Sequence, residues 1–319
     1  MPLAKWPFQW IVDRKGASCG WALVHSRIVS RDRQAQLAEL RHAGVRFLGM
    51  SSDGTFPLPA PDDPLDYGML CEGWCHCFRD PDAMLPPGSP RTLISGSDFT
   101  DPHHLSPERI LGDPAESTSG FDFVYVAATE PWKQEAKNWP LACECIPVLC
   151  RELGLRALVV HSPRHGLVES SAIHHVDHLP WSQWLRHLAR ARFLFVPNEL
   201  DASPRVISEA LCLDVPVVVN RRILGGWKYV NTYTGCFFDD ADNVVAAAAE
   251  CLAKRLRPRN WYRAHHGPYL AGRRLLAFLR SIDPELQARD ALGLSHHLAA
   301  FPGGGRGDVD QQSGRTLHW

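Results

Sequence analysis

The chain has 319 residues, enough for two domains of ordinary size, and its 45% hydrophobic and 22% charged residues are those of a globular protein. A formal net charge of -1 gives no electrostatic reason to expect nucleic acid as a partner, so any phosphate must be held by local basic groups. No apolar run approaches the roughly 18 to 20 residues that cross a bilayer, and the opening MPLAKWPFQWIVDRKG lacks the features of a signal peptide; no transmembrane segment and a cytoplasmic location are expected.

Residues 8–12 read as a short apolar strand, and 13–20 (DRKGASCG) as a glycine-bearing loop before a helical stretch that begins near Trp21. Such a loop faces the ligand crevice in doubly wound folds, although its spacing is not G-x-G-x-x-G and an ordinary turn fits it too. Residues 33–42 have helix-forming composition, with Leu37 and Leu40 at i, i+3 and Gly44 as the C-terminal stop. A strand over 45–50 completes one βαβ unit. Asp53 leaves that strand at its carboxyl end, where open α/β sheets place their chemistry, though an Asp in a Ser/Gly turn equally serves the turn itself.

Residues 57–64 form a loop, and 69–78 and 91–95 read as strands separated by DPDAMLPPGSP. The rigid Pro81 makes Asp80-Pro81-Asp82 a turn rather than a metal-binding D-x-D pair. Cys71, Cys75 and Cys77 with His76 lack a second paired set at zinc spacing, and the ten cysteines read mainly as reduced buried thiols. No metal site is expected. Residues 99–120, polar and with three prolines, read as the linker.

Beyond it, strands at 121–127, 157–161, 173–176, 193–196, 216–219 and 236–238 are interspersed with helices at 140–153, 181–191 and 243–256. That pattern implies a parallel sheet with right-handed crossovers, hence a Rossmann-like domain. Residues 261–282 are helical, aromatic and Arg-rich, and the Gly-rich stretch after Pro302 reads as disordered, its Arg306-Gly307-Asp308 arising by chance. The expected fold class is α/β, with domains at 1–115 and 116–285 and a disordered tail at 302–319.

The most informative stretch is 193–220, FLFVPNELDASPRVISEALCLDVPVVVN: a buried strand, a polar loop, a helix and a second buried strand. Ser203 as N-cap and Pro204 at the first helical position start the helix. Val206, Ile207, Ala210 and Leu211 fall on one face, Arg205 and Glu209 on another. A helix N-terminus attracts phosphate, and Glu209 stands about 7.5 Å along the axis from Pro204, where a carboxylate would accept the ribose hydroxyls of a nucleotide diphosphate. The alternative is a surface pair between Glu209 and Arg205.

This segment resembles the Glu-x7-Glu region of GT-B glycosyltransferases, especially the family 4 (group 1) class. Glu209 takes the second Glu, the run ALCLDVPVVV over 210–219 the continuation, and Asp201 the first acidic position. Asp201 is shorter than the usual Glu, and Ala202-Ser203-Pro204 replaces the usual Gly-rich loop. The resemblance implies two Rossmann-like domains facing a cleft, a small N-terminal one on the acceptor side and a C-terminal one that binds the nucleotide sugar, with 261–282 crossing back to the first. It implies a metal-independent hexosyl- or pentosyltransferase, needing no cofactor, that moves a sugar from a nucleotide-sugar donor to a glycan or other small-molecule hydroxyl acceptor.

By the same resemblance Lys133 or Lys137 binds the donor phosphates, and Ser203, Arg205 and Lys228 lie where the fold would complete that site. Positive groups and a helix tip would stabilise the leaving diphosphate. Asp201 would meet the sugar hydroxyls. An inverting reaction would need a base from the first domain, with Asp53 the first candidate and His25 and Asp13 behind it. Two rivals remain: an inert nucleotide-sugar or glycan-binding module, and a sugar phosphorylase or epimerase on a similar scaffold.

Overall fold

A computed structural model describes residues 5–13, 15–51, 54–112, 120–163, 165–288 and 292–295. Asp53, the linker stretch 113–119 and the tail expected at 302–319 lie outside the described residues. The chain divides into two units, one made of Met1–Phe99 with His266–Trp319, the other of Thr100–His265. The division falls between Phe99 and Thr100, at the start of the 99–120 stretch, and residues 266–285 group with the first unit.

In the first unit β1 (Phe8–Val12) turns into β2 (Ser18–Val24), and α1 (Arg31–His42) leads to β3 (Arg46–Met50). The helix expected from Trp21 is thus a strand. Four consecutive buried residues, Trp21, Ala22, Leu23 and Val24, suit a strand covered on both faces as well as a helix, and periodicity alone does not separate the two. The hairpin is closed by Asp13, whose Oδ1 accepts the amides of Lys15 and Ala17 at 2.8 and 3.0 Å. α1 is capped by Ser30, and Gly44 at φ +74° takes the left-handed conformation after its end.

The strand expected over 69–78 is shorter, because Asp66 caps a helical turn, α2 (Tyr67–Leu70), ahead of β4 (Trp74–Cys75), and β5 (Arg91–Thr92) follows. Between them Asp80 Oδ1 accepts the Asp82 amide at 3.2 Å and Asp82 pairs with Arg91 at 2.6 Å, which makes this stretch a turn.

The second unit runs α3 (Pro107–Leu111), β6 (Phe123–Val126), α4 (Pro131–Ala136), α5 (Trp139–Leu153), β7 (Ala157–Val160), β8 (Ile173–Val176) and α6 (Trp181–Ala189). It continues through β9 (Phe193–Val196), α7 (Arg205–Cys212), β10 (Val217–Asn220), β11 (Gly235–Phe238), α8 (Val244–Ala253) and α9 (Pro258–His265). Its sheet has the order β11-β10-β9-β6-β7-β8, every pair parallel. Alternation along the strands sends Phe123, Tyr125, Phe193 and Phe195 into the core under α5 and α8. Val124, Leu194, Val196, Val217 and Val219 go to the opposite core, under α6 and α7.

After α9 the chain passes His266 and Gly267 into α10 (Pro268–Ile282) and β12 (Gly293–Leu294). Ala271, Leu275, Leu276 and Leu279 of α10 pack with Ile11, Trp21, Leu23, Leu48 and Met50, so burial of this apolar stripe assigns the helix to the first unit. The first sheet runs β12-β1-β2-β3-β4-β5; it is parallel from β2 to β5 and antiparallel at its β12-β1-β2 edge.

Candidate functional site

Strand order in the second unit reverses beside β6: β7 and β8 extend one way, and the chain then returns to add β9, β10 and β11 on the other side. In an open parallel sheet the crevice outside the carboxyl ends at such a switch point is where ligands bind. Here the segment after β6, carrying α4, diverges from the loop after β9, and the two supply Lys137 and Asp201.

Lys137 Nζ lies 2.6 Å from Asp201 Oδ2, with side chains 21% and 17% exposed. Asn198 Nδ2 donates to the same oxygen at 2.9 Å. The backbone around the lysine is fixed from the sheet, since Tyr125 on β6 donates its hydroxyl proton to the Lys137 carbonyl at 3.1 Å and the Glu199 amide reaches the Ala136 carbonyl at 3.3 Å. Two of the residues singled out from the sequence are therefore in direct contact. Lys133 is engaged elsewhere: its Nζ meets Glu130 Oε1 at 2.7 Å, and that hydrogen bond holds the Glu130 carboxyl below the usual range.

Glu209 departs from its expected place on an exposed charged face. It is 7% exposed, and each carboxylate oxygen accepts an indole N–H, Oε1 from Trp181 at 3.0 Å and Oε2 from Trp184 at 3.1 Å. Both tryptophans come from α6, whose i, i+3 spacing sets the two rings on one side of the carboxylate. Two lone-pair positions of a carboxylate remain after these bonds. The buried face of α7 is wider than expected: Ile207 through Cys212 are all buried, Ser208 and Glu209 included.

The start of α7 also shifts. Pro204 rather than Ser203 is the N-cap, with no side-chain cap hydrogen bond, and Arg205 begins the helix on the exposed side. Lys228 lies in the turn after β10, its Nζ 5.2 Å from the centroid of the Tyr229 ring. That turn is laced to the loop after β9 by the Leu224 amide to the Glu199 carbonyl, 2.8 Å, and the Gly225 amide to the Asp201 carbonyl, 2.9 Å. The close approach needs a glycine, because a Cβ on Gly225 would sit 1.7 Å from the Ala202 carbonyl oxygen. Gly225→Ala is accordingly expected to cost at least about 1–3 kcal/mol in urea unfolding and to part the two loops; an unchanged midpoint would show that the loops yield freely.

A cavity of about 750 Å³ opens beside Glu199, walled by Asn138, Trp139, Glu135 and His165. Asn138 adopts the left-handed conformation, φ 51° and ψ 58°, and caps α5 through its side chain, while its Nδ2 reaches Glu199 Oε2 at 3.4 Å. Trp139 Nε1 donates to the His165 carbonyl at 3.0 Å. This wall escaped the sequence reading, although the Asn-Trp-Pro start of α5 carries its signal, a good cap followed by proline in the first turn.

The first unit places its candidates unequally. His25 follows the carboxyl end of β2, is buried, and shares a hydrogen bond of 2.8 Å between its Nε2 and Gln9 Oε1 while stacking on Trp6. Asp13 lies at the amino end of β2 and closes the hairpin, away from the end where such sheets do chemistry. Among the described residues no group of three or more His, Cys, Asp or Glu is arranged to hold a metal ion.

No family model matches the sequence, and no curated protein matches it significantly. Solved structures do resemble it. AviGT4, a glycosyltransferase involved in avilamycin A biosynthesis, is 16% identical with a TM-score of 0.52 over 75% of this chain and 69% of its own. The S. aureus MnaA–UDP structure is 14% identical with a TM-score of 0.51 over 85% and 76%. The pneumococcal O-GlcNAc transferase GtfA, solved with UDP and GlcNAc, is 12% identical with a TM-score of 0.51 over 80% and 55%, so this chain spans about half of that one. The protein has the GT-B glycosyltransferase fold, built from two α/β units. No helix among the described residues is long and apolar enough to cross a membrane.

Proposed function

We propose that the protein is a metal-independent glycosyltransferase that moves a sugar from a nucleotide-sugar donor to a hydroxyl acceptor. The observation that carries this reading is the meeting of Lys137 and Asp201 at the switch point of a fully parallel six-stranded sheet, in a chain of GT-B fold. In this reading Lys137 compensates the charge of the leaving diphosphate, with the first turn of α7, Arg205, Lys133 and Lys228 as further positive groups. Asp201 meets the donor sugar, and Glu209 takes the ribose hydroxyls with the lone pairs its indole partners leave. The first unit carries the acceptor. If the reaction inverts the anomeric centre, the first unit also supplies the base, Asp53 first and His25 behind it.

A second reading, an inert nucleotide-sugar-binding module, is favoured by one observation: Lys133 and Lys137 are each already paired with a carboxylate of the chain. Incubation of the purified protein with a panel of nucleotide sugars separates the two. UDP-linked sugars head the panel, since GtfA and MnaA were both solved with UDP. The expected result is release of nucleoside diphosphate that rises with a hydroxyl acceptor and survives EDTA. Binding without release would establish the inert module, and strict dependence on added manganese or magnesium would refute the metal-independent mechanism.

A further inference from the structure

The amino ends of the second sheet carry a different kind of pocket. Between the segments that enter β9 and β10 and the end of α8 lies a cavity of about 530 Å³, a size that suits a small organic ligand. Arg192, Lys254, Arg255 and Arg257 line it, with Asp214 as the single acid, and Pro216, Leu252 and Leu256 form its apolar wall.

The charges do not cancel. Arg192 pairs with Asp122 at 3.0 Å, Lys254 pairs with Glu250, and Asp214 Oδ1 accepts the Arg259 amide at 3.0 Å. Arg255 and Arg257 have no carboxylate partner among the described residues. Basic residues at a helix C-terminus complement its dipole, and that alone explains Lys254 and Arg255 at the end of α8. It does not explain Arg257, beyond the helix, whose backbone amide is tied to the Tyr233 carbonyl at 2.9 Å.

We propose that this pocket binds a small phosphorylated molecule, its phosphate between Arg255 and Arg257 and its carbon skeleton against the Pro216–Leu252–Leu256 wall. Two guanidinium groups without a carboxylate partner match a phosphate monoester, which carries about -1.5 to -2 charge at neutral pH, and the planar fork of Arg suits its oxygens. The site lies at the opposite strand ends from Lys137 and Asp201, so it does not depend on the donor reading.

The test is titration calorimetry of the full-length protein with a hexose phosphate, the unphosphorylated hexose, and sulfate at matched ionic strength. Wild type is expected to bind the hexose phosphate in preference to both controls. Arg255→Gln/Arg257→Gln is expected to lose affinity by about tenfold or more for each guanidinium removed. Lys137→Gln, on the other end of the sheet, should bind the hexose phosphate as wild type does. Both variants change partly exposed side chains, and matching thermal midpoints will establish that they fold. Absence of hexose phosphate binding to wild type, equal binding of sulfate, or an equal loss in Lys137→Gln would each overturn the proposal.

Discussion

Glu209→Gln is expected to lose both donor affinity and stability. The amide offers one acceptor where the carboxylate offers two, so its NH2 must face either the Trp181 or the Trp184 N–H. A buried donor left without an acceptor costs about 1–3 kcal/mol, and a charge-assisted hydrogen bond to ribose made neutral costs roughly ten- to hundredfold in affinity. The two losses separate in the Trp181→Phe background, where the amide can present its oxygen to Trp184 and its NH2 to a ring with no donor. There the substitution should cost less in thermal midpoint and just as much in nucleotide-sugar affinity. Donor affinity that is unaltered in both backgrounds would leave Glu209 as a structural acceptor for two indoles and nothing more.

The second large effect concerns the ion pair. Lys137→Gln removes the cation paired with Asp201 and is expected, under the proposed function, to weaken nucleoside diphosphate binding by roughly ten- to hundredfold. Asp201→Asn should act in the opposite sense on the same measurement. With the anion at 2.6 Å neutralised, Lys137 attracts a diphosphate more strongly, so diphosphate affinity holds or rises. Under the proposed function transfer should nevertheless fall, by about tenfold or more, because a neutral amide would meet the sugar where charge develops. A parallel fall of affinity and turnover in Asp201→Asn would place the carboxylate in ordinary ground-state binding, and equal turnover would remove it from the reaction.

The second unit was the more legible half because its strands are buried on both faces and bounded by clear turn residues. Residues 193–196 and 173–176 have the bounds the sequence predicts, and Gly154 ends α5 in the left-handed conformation that glycine adopts readily. The first unit was harder for a physical reason. Trp21 to Val24 are apolar without a period, so only their pairing with β1 on one side and β3 on the other makes them a strand. The site followed the same division. The resemblance to GT-B glycosyltransferases brings Lys137 and Asp201 into view, whereas the burial of Glu209 depends on two tryptophans 25 and 28 residues away in sequence, a relation that helical periodicity within α7 cannot contain.

Under the proposed function, those two indoles also make Glu209 an optical reporter. Tryptophan emission responds to the charge and polarity around the ring, and Trp181 is 47% exposed while Trp184 is buried, both with their N–H on the same carboxylate. Any ligand that draws on Glu209 perturbs the two rings together, one from the solvent side and one from within. Of the eleven tryptophans in the chain, comparison with Trp181→Phe isolates the signal of Trp181 and comparison with Trp184→Phe that of Trp184, so occupancy can be followed by intrinsic fluorescence without a label, before the sugar or the acceptor is known.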